Sequence, residues 1–424
     1  MTSDPHRTNN TLRISEIVAI PVACPDPPLL NHHGVHEPVF LRVIVRIRTE
    51  DGLEGLGEGP GGRLYVQQLI SAAKHVIGAD PYHIEALRVL IGNPRLFSTI
   101  EVALLDLIGK ATNRSVTDLL GGAARRRVPF SAYLFFKEAG DDDWGRALTP
   151  EEIVNQGARF ANNYGMSVFK LKGGVLEPDA EIRTIQLLRE RFGRRAKLRI
   201  DPNAAWSVET SIRVAEHLRG TDIEYLEDPT DGIEGMAQVA RRTPIPLSTN
   251  MCVTEFQHIP VAFRERAVQV VLGDHHGWGG LTALRNLGVV CKTLNLGLSQ
   301  HSNSHLGISF AAMIHAGAPI PNLLHASDTH YPWNAASDIV KETDRFRFRD
   351  GAIELWEAPG LGVSIDEDRL ASAAEAYDQR GSLLARDDIS AMPGTQPGLV
   401  AAHAEVVICR VIEPPYHTAS IVGG

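Results

Sequence analysis

The sequence predicts an α/β protein: a (β/α)8 barrel with a small α+β domain before it. Three observations carry this. From about residue 128, short β-rich runs alternate with amphipathic helical segments. Their spacing, about 25 to 35 residues, is the length of one βα unit. Eight such runs can be counted, and each closes on, or runs straight into, polar or charged residues. A parallel barrel collects its chemistry at those strand ends, which favours it over an open doubly wound sheet.

The N-terminal part reads as β structure from about 12 to 58. "RISEIVAIPVA" alternates apolar and polar, "VFLRVIVRIRTE" alternates more clearly, and "DGLEGLGE" supplies a turn and a short strand. The helical patterns "VQQLISAAKHVIG" and "TIEVALLDLIGKATN" follow. The barrel strands are expected at "VPFSAYLFF", "SVFKLKG", "AKLRID", "IEYLED", "IPLSTN", "AVQVVLGD", "LGLSQH" and "NLLHAS". Between them lie helical segments such as "TPEEIVNQGARFANNYG", "PDAEIRTIQLLRERFG", "SVETSIRVAEHLRG", "IEGMAQVARR" and "GLTALRNLGVVCKTLN". The tail after about 355 carries one polar helix, "DEDRLASAAEAYDQRG", then turns irregular. Expected boundaries are 1–127, 128–354 and 355–424, the last packing back on the first.

Bulk properties exclude several functions. The 424 residues carry a net charge of −9 without a basic stripe, which argues against nucleic acid. No run approaches the ~18 apolar residues of a membrane span, and the start lacks a hydrophobic signal core. Cys24, Cys252, Cys291 and Cys409 are far apart and form no C-x-x-C pair. A reducing, cytoplasmic compartment is expected.

The strand ends carry the site. Lys170 and Lys172 lie two apart in a β-prone run and so share one face. Asp201, Glu227 and Asn250 end the next three strands, an oxygen-donor set for a hard divalent cation. Asp274 and His301 end the sixth and seventh, where the carboxylate fixes the imidazole's tautomer. Asp328 and His330 follow the eighth. A buried lysine beside another ammonium and a metal is expected to have a lowered pKa and to act as a general base. Each residue alone has an ordinary reading: a solvated lysine, a helix N-cap, a turn asparagine. A zinc site on His275 and His276 is the weaker alternative, since no third His or Cys ligand is evident.

The ordered set Lys-x-Lys, Asp, Glu, Asn, Asp, His resembles the enolase superfamily, mandelate racemase-like branch. The strings "FKLKGG", "IEYLEDP", "STNM", "HSNSH", "DTH", "PGLGVSID" and "ARDD" resemble its glucarate dehydratase subgroup, over about residues 14 to 392. The resemblance implies a modified (β/α)7β barrel under an α+β capping domain. It implies Mg2+ held by Asp201, Glu227 and Asn250, with Lys172 and the Asp274–His301 dyad as bases and Lys170 in support. Asn31, His36, Tyr133, Asn203, His330 and Arg386 are the implied substrate contacts. The implied substrate is a small dicarboxylate acid sugar, and the implied assembly a homo-oligomer. The implied reaction is dehydration to a 2-keto-3-deoxy diacid. Racemisation or epimerisation at the same site, or a non-catalytic relative, are the alternatives. The segment before "STIEVALLDL" looks shorter than in the family, leaving Ser98 or Thr99 as the nearest candidate contact there. After Asp274, "HHGW" stands where a proline and bulkier aromatics are expected.

Overall fold

The computed structural model describes residues 12–380 and 407–410. The first alternating runs form antiparallel strands β1 (Ile14–Pro25), β2 (Val39–Thr49) and β3 (Glu54–Pro60). β1 pairs with β2, β2 with β3, and Val407–Arg410 pairs with the outer edge of β1. One face packs Ile17, Val43, Val45 and Ile47 against helices Arg63–Ala73 and Pro94–Thr112. The other face sends Val22, Ile44 and Leu56 into the barrel's core. The polar positions of the alternating pattern are therefore largely buried and ion-paired: Arg42 Nε donates to Glu58 at 2.9 Å.

"DGLEGLGE" is longer as a strand than expected, and its glycines have a steric purpose. A Cβ at Gly55 would lie 2.1 Å from Ala103 O, and one at Gly57 2.4 Å from Thr99 O. The helix Pro94–Thr112 lies on the bare backbone of β3. Ser98 and Thr99 are fully buried there. Ser98 Oγ donates to Arg95 O, and Thr99 Oγ1 bonds Tyr65 Oη. Both hydroxyls, the expected candidate contacts, are thus engaged within the capping domain.

Seven parallel strands follow: β4 (Ala132–Phe135), β5 (Val168–Lys172), β6 (Lys197–Asp201), β7 (Ile223–Glu227), β8 (Leu247–Thr249), β9 (Val270–Gly273) and β10 (Gly297–Gln300). They pair in sequence order. The expected helices between them form at Pro150–Tyr164, Pro178–Phe192, Val208–His217, Gly232–Ala240 and Leu281–Thr293. Thr149 and Glu152 form a capping box on the first, and Ser207 caps the third.

The eighth strand, expected at "NLLHAS", does not form. Turns occupy 318–319 and 321–322, Pro319 and Pro321 offer no backbone donor, and Leu324 faces solvent. The segment reaches the ladder from His325 on, whose N donates to Leu298 O at 3.4 Å. Ser327 N donates to Pro129 O and Ser131 N to Ser327 O, each at 2.8 Å, while Asp328 N donates to Gln300 O at 2.8 Å. Those bonds close the barrel between β10 and β4.

Helix Gly307–Gly317 is buried along its whole length. Its orphan N-terminal amides are met from the capping sheet: Leu306 N donates to Glu58 Oε1 and Ser309 N to Glu58 Oε2, at 2.9 and 2.8 Å. The C-terminal helix Glu367–Gln379 lays Tyr377 against Ala23 and Leu41 of the sheet.

Two predictions follow from this packing. Gly57→Val forces β3 off its helix and should lower unfolding free energy by about 1–3 kcal/mol, the usual cost of overpacking, read by denaturant titration. His315, inside the buried helix, bonds Thr117 Oγ1 through Nδ1 and Leu361 O through Nε2. Burial lowers its pKa from 6.5 to about 4. The folded state thus holds His315 neutral where the unfolded chain protonates it, so its contribution is present above pH 6.5 and is lost as pH falls toward 4. His315→Gln should flatten the acid limb of stability against pH in that window by up to about one proton; an unchanged slope refutes it.

Candidate active site

Register brings the lysines and the first carboxylate level. Tyr133 pairs with Lys170, Phe135 with Lys172, and Lys172 with Asp201 across β4, β5 and β6. The Lys170 ammonium is fully buried among three carboxylates: Glu227 Oε1 at 2.6 Å, Asp328 Oδ2 at 2.8 Å and Asp201 Oδ2 at 3.3 Å. It sits 4.8 Å from the Tyr133 ring centroid. Burial alone would lower Lys170, but Asp328 and Glu227 outweigh it and hold the ammonium well above its ordinary value. A lowered pKa was expected of a buried lysine beside another ammonium and a metal; Lys170 goes the other way, because three carboxylates lie within 3.3 Å of its nitrogen.

Lys172 Nζ donates to Asp201 Oδ2 at 2.7 Å and to Asn203 Oδ1 at 2.9 Å. Asn203 adopts a left-handed φ of 52°, which turns its own amide onto Asp201 Oδ1 at 3.0 Å. Asp201 is no helix cap, since Ser207 fills that place. Its burial is outweighed by Lys172 and Lys170, which hold its pKa far down. Burial drives Glu227 the other way, well up, despite Lys170.

Glu227 and Asn250 share one feature. Both carboxylate oxygens of Glu227, and Oδ1 of Asn250, are buried with no hydrogen-bond partner. The 2.6 Å approach of Lys170 to Glu227 is thus an ion pair without hydrogen-bonding geometry. Unmet buried acceptors are costly, and an oxygen-seeking cation is the group that answers them. Asp201, Glu227 and Asn250 fit such an ion. Asp228, beside Glu227, holds Asn250 in place: its Oδ2 accepts from Asn250 N at 2.8 Å and Met251 N at 3.2 Å. Burial raises Asp228 to about 7.

Farther round, His301 Nδ1 donates to Asp274 Oδ2 at 3.2 Å, so that in a neutral ring Nε2 is the acceptor nitrogen. Asp274 also caps the helix His275–Trp278 through His276 N at 2.8 Å. Burial opposes its charge, yet the bond from His301 and the neighbouring histidines hold its pKa far below the usual range.

Asp274, His275 and His276 offer ligand atoms within 4.8 Å of one another, the expected alternative metal cluster. Arg42 Nη2, however, lies 3.0 Å from His276 Nε2 and brings a positive charge to it. Arg42 lies 2.9 Å from Glu58, and it links the capping sheet to the Asp274 helix.

The remaining expected residues gather above. Asn31 Nδ2 and His36 Nε2 are 3.4 Å apart, and His36 Nδ1 donates to Asp26 Oδ2 at 3.0 Å. The His36 ring meets Phe135 edge-on, and Phe135, Tyr133 and His330 pack together. His330 Nδ1 is buried and unpartnered. Arg386 lies outside the described residues. The role of Asp328 was not legible: it follows the segment that fails as a strand, and only closure of the barrel brings it to Lys170. Arg199 was also missed. It is fully buried behind Lys170, its Nη1 3.5 Å from Asp328 Oδ1.

Comparison with known proteins gives the family. Residues 152–369 match the family model "Enolase C-terminal domain-like", and residues 15–121 match "Mandelate racemase / muconate lactonizing enzyme, N-terminal domain". A probable glucarate dehydratase of Streptomyces coelicolor is 44% identical over 422 residues, covering 91% of this chain and 97% of that protein. Muconate cycloisomerase 1 of Rhodococcus opacus is 26% identical over 378 residues, covering 83% and 96%. An enolase from Thermobispora bispora, crystallised with magnesium and formate, superposes with TM-score 0.86 at 45% identity, over 89% of this chain and 95% of that one. One from Pseudomonas fluorescens, with magnesium, potassium and tartrate, superposes with TM-score 0.85 at 41% identity, over 89% and 95%. With its capping sheet, its curled parallel barrel and its charged strand ends, the chain is an enzyme and belongs to the enolase superfamily, mandelate racemase / muconate lactonizing enzyme branch.

Proposed function

We propose that this enzyme is a Mg2+-dependent acid-sugar dehydratase acting on a glucarate- or idarate-like aldarate. It removes the proton beside one carboxylate and expels a β-hydroxyl, leaving an enol that becomes a 2-keto-3-deoxy diacid. One observation carries the reading most. The oxygen donors of Asp201, Glu227 and Asn250 stand on successive strand ends, those of Glu227 and Asn250 without hydrogen-bond partners, between Lys172 and the Asp274–His301 pair. An all-oxygen set suits Mg2+ better than zinc. The relative named a probable glucarate dehydratase and the magnesium-bound structures agree with it.

The chemistry needs charge control. A carbon acid beside a carboxylate ionises only if the two oxygens that receive the charge are stabilised. When bound, Mg2+ supplies that stabilisation as a Lewis acid. Lys170 adds a fixed positive charge at the same point. Lys172 takes the proton, while Asp201 and Asn203 hold its nitrogen in place. His301 Nε2 works from the other side. Once protonated, it delivers a proton to the departing hydroxyl. Asp274 steadies the imidazolium. The buried, unpartnered Nδ1 of His330 is available to a substrate hydroxyl or carboxylate.

Incubation with a panel of sugar acids and Mg2+ should yield 2-keto-3-deoxy product. Deuterium entering beside a carboxylate from heavy water, without keto product, would replace dehydration by epimerisation. Lys172→Ala and His301→Asn should each lower kcat by about 10²- to 10⁴-fold, the usual worth of a general acid–base, with circular dichroism unchanged. Glu227→Gln should weaken Mg2+ binding by at least about 10-fold, a loss that even a residue supporting a metal ligand can cause. Calorimetric titration reads it, and unaltered affinity would remove Glu227 from the ligand set.

A further inference from the structure

One residue above the mouth has no part in the chemistry so far. His32 lies in the short capping hairpin whose arms, Leu30–Asn31 and Gly34–Val35, pair antiparallel. This hairpin overhangs the end of β5. A Cβ placed on Gly174, two residues after Lys172, would lie 3.3 Å from the His32 Cβ. Gly174 has a φ of +74°, so the chain turns under the imidazole at that point. The His32 ring packs on His33 with centroids 3.6 Å apart. His33 N in turn donates to Asn31 Oδ1 at 2.8 Å, which pins the hairpin.

The His32 ring is within electrostatic reach of both Lys172 and Asp201. The residue as a whole is only partly covered, yet its Nδ1 is buried and has no hydrogen-bond partner. A buried ring nitrogen without a partner is costly, and His32 stands against the turn two residues beyond the proposed base. His32 therefore differs from Asn31 and His36, which already bond one another and Asp26.

We propose that His32 is a specificity-determining residue whose Nδ1 hydrogen-bonds a hydroxyl of the bound acid sugar, on the face of the substrate where Lys172 works. The inference rests on the acid-sugar reading above and deepens it. An imidazole there favours diacids bearing a hydroxyl next to the deprotonated carbon and gives nothing to diacids that lack it. No proton transfer is assigned to His32, so its loss should raise KM more than it lowers kcat.

The geometry of the imidazole supplies the test. The amide of an asparagine side chain falls where Nδ1 of a histidine lies, while that of a glutamine falls nearer Nε2. His32→Leu should lower kcat/KM on hydroxylated diacids by about 3- to 10-fold, the worth of one neutral hydrogen bond. The change should reside mainly in KM. It should also erase the preference over the corresponding deoxy diacids. His32→Asn should restore most of the loss and His32→Gln should not. Binding of tartrate, measured calorimetrically with Mg2+ on the same variants, should follow the same order without depending on turnover. Equal kcat/KM ratios and equal tartrate affinity in wild type and His32→Leu would overturn the role of His32 and leave the dehydratase reading intact. Wild type that neither turns over any sugar acid nor binds tartrate would overturn both. Should His32→Leu melt early, the comparison of His32→Asn with His32→Gln decides, and equal behaviour of those two refutes the proposal.

Discussion

At the barrel mouth one ammonium lies beneath the surface among Glu227, Asp328 and Asp201, and much of the site depends on that balance. Burying any one of these charges alone would cost several kcal/mol. Together they are tolerated because each has an opposite neighbour within hydrogen-bonding or ion-pairing distance. The arrangement ties distant parts of the chain to one point: β5 and β6 from the middle, β7 beside them, and the closing segment after residue 327. Tyr133 roofs the cluster and Arg199 backs it. A cluster that is satisfied only when all strand ends are level gives those strands a reason to share one register.

A second buried chain of contacts joins the capping sheet to the other side of the mouth. Glu58 takes two amides from the start of the buried helix Gly307–Gly317. Arg42 bonds Glu58 and reaches His276, whose own amide is held by Asp274. The carboxylate that orients His301 is thus fastened to the capping sheet as well as to its own strand. Site and capping domain are parts of one electrostatic construction, and the row of glycines on β3 is what lets the helix behind it sit close enough to complete the packing.

Some of this was legible beforehand and some was not, for reasons that differ by residue. Lys170, Lys172, Asp201, Glu227, Asn250, Asp274 and His301 were readable because period-two alternation and βα spacing put them at successive strand ends. Asp328 was visible as a letter but not as Lys170's partner, because its position depends on a segment that closes the barrel without becoming a strand. His32 carried no signal at all: a histidine in a polar hairpin looks solvated until the hairpin is laid over Gly174. Alternation in "VFLRVIVRIRTE" was read correctly as a strand, but Arg42 and Arg46 turned out to be paired and buried, and Arg48 paired and half-buried.

The amino-acid sequence by itself determined the local elements, their order and the type of chemistry at each strand end, since these depend on short-range periodicity and on side-chain identity. Tertiary structure alone decided which charges became neighbours. The ammonium of Lys170 is raised rather than lowered because three carboxylates reach it, two from strand ends and one from the segment that closes the barrel. Coulomb energy depends on distance through space and on the exclusion of water. Neither quantity exists until the strands have closed around the mouth.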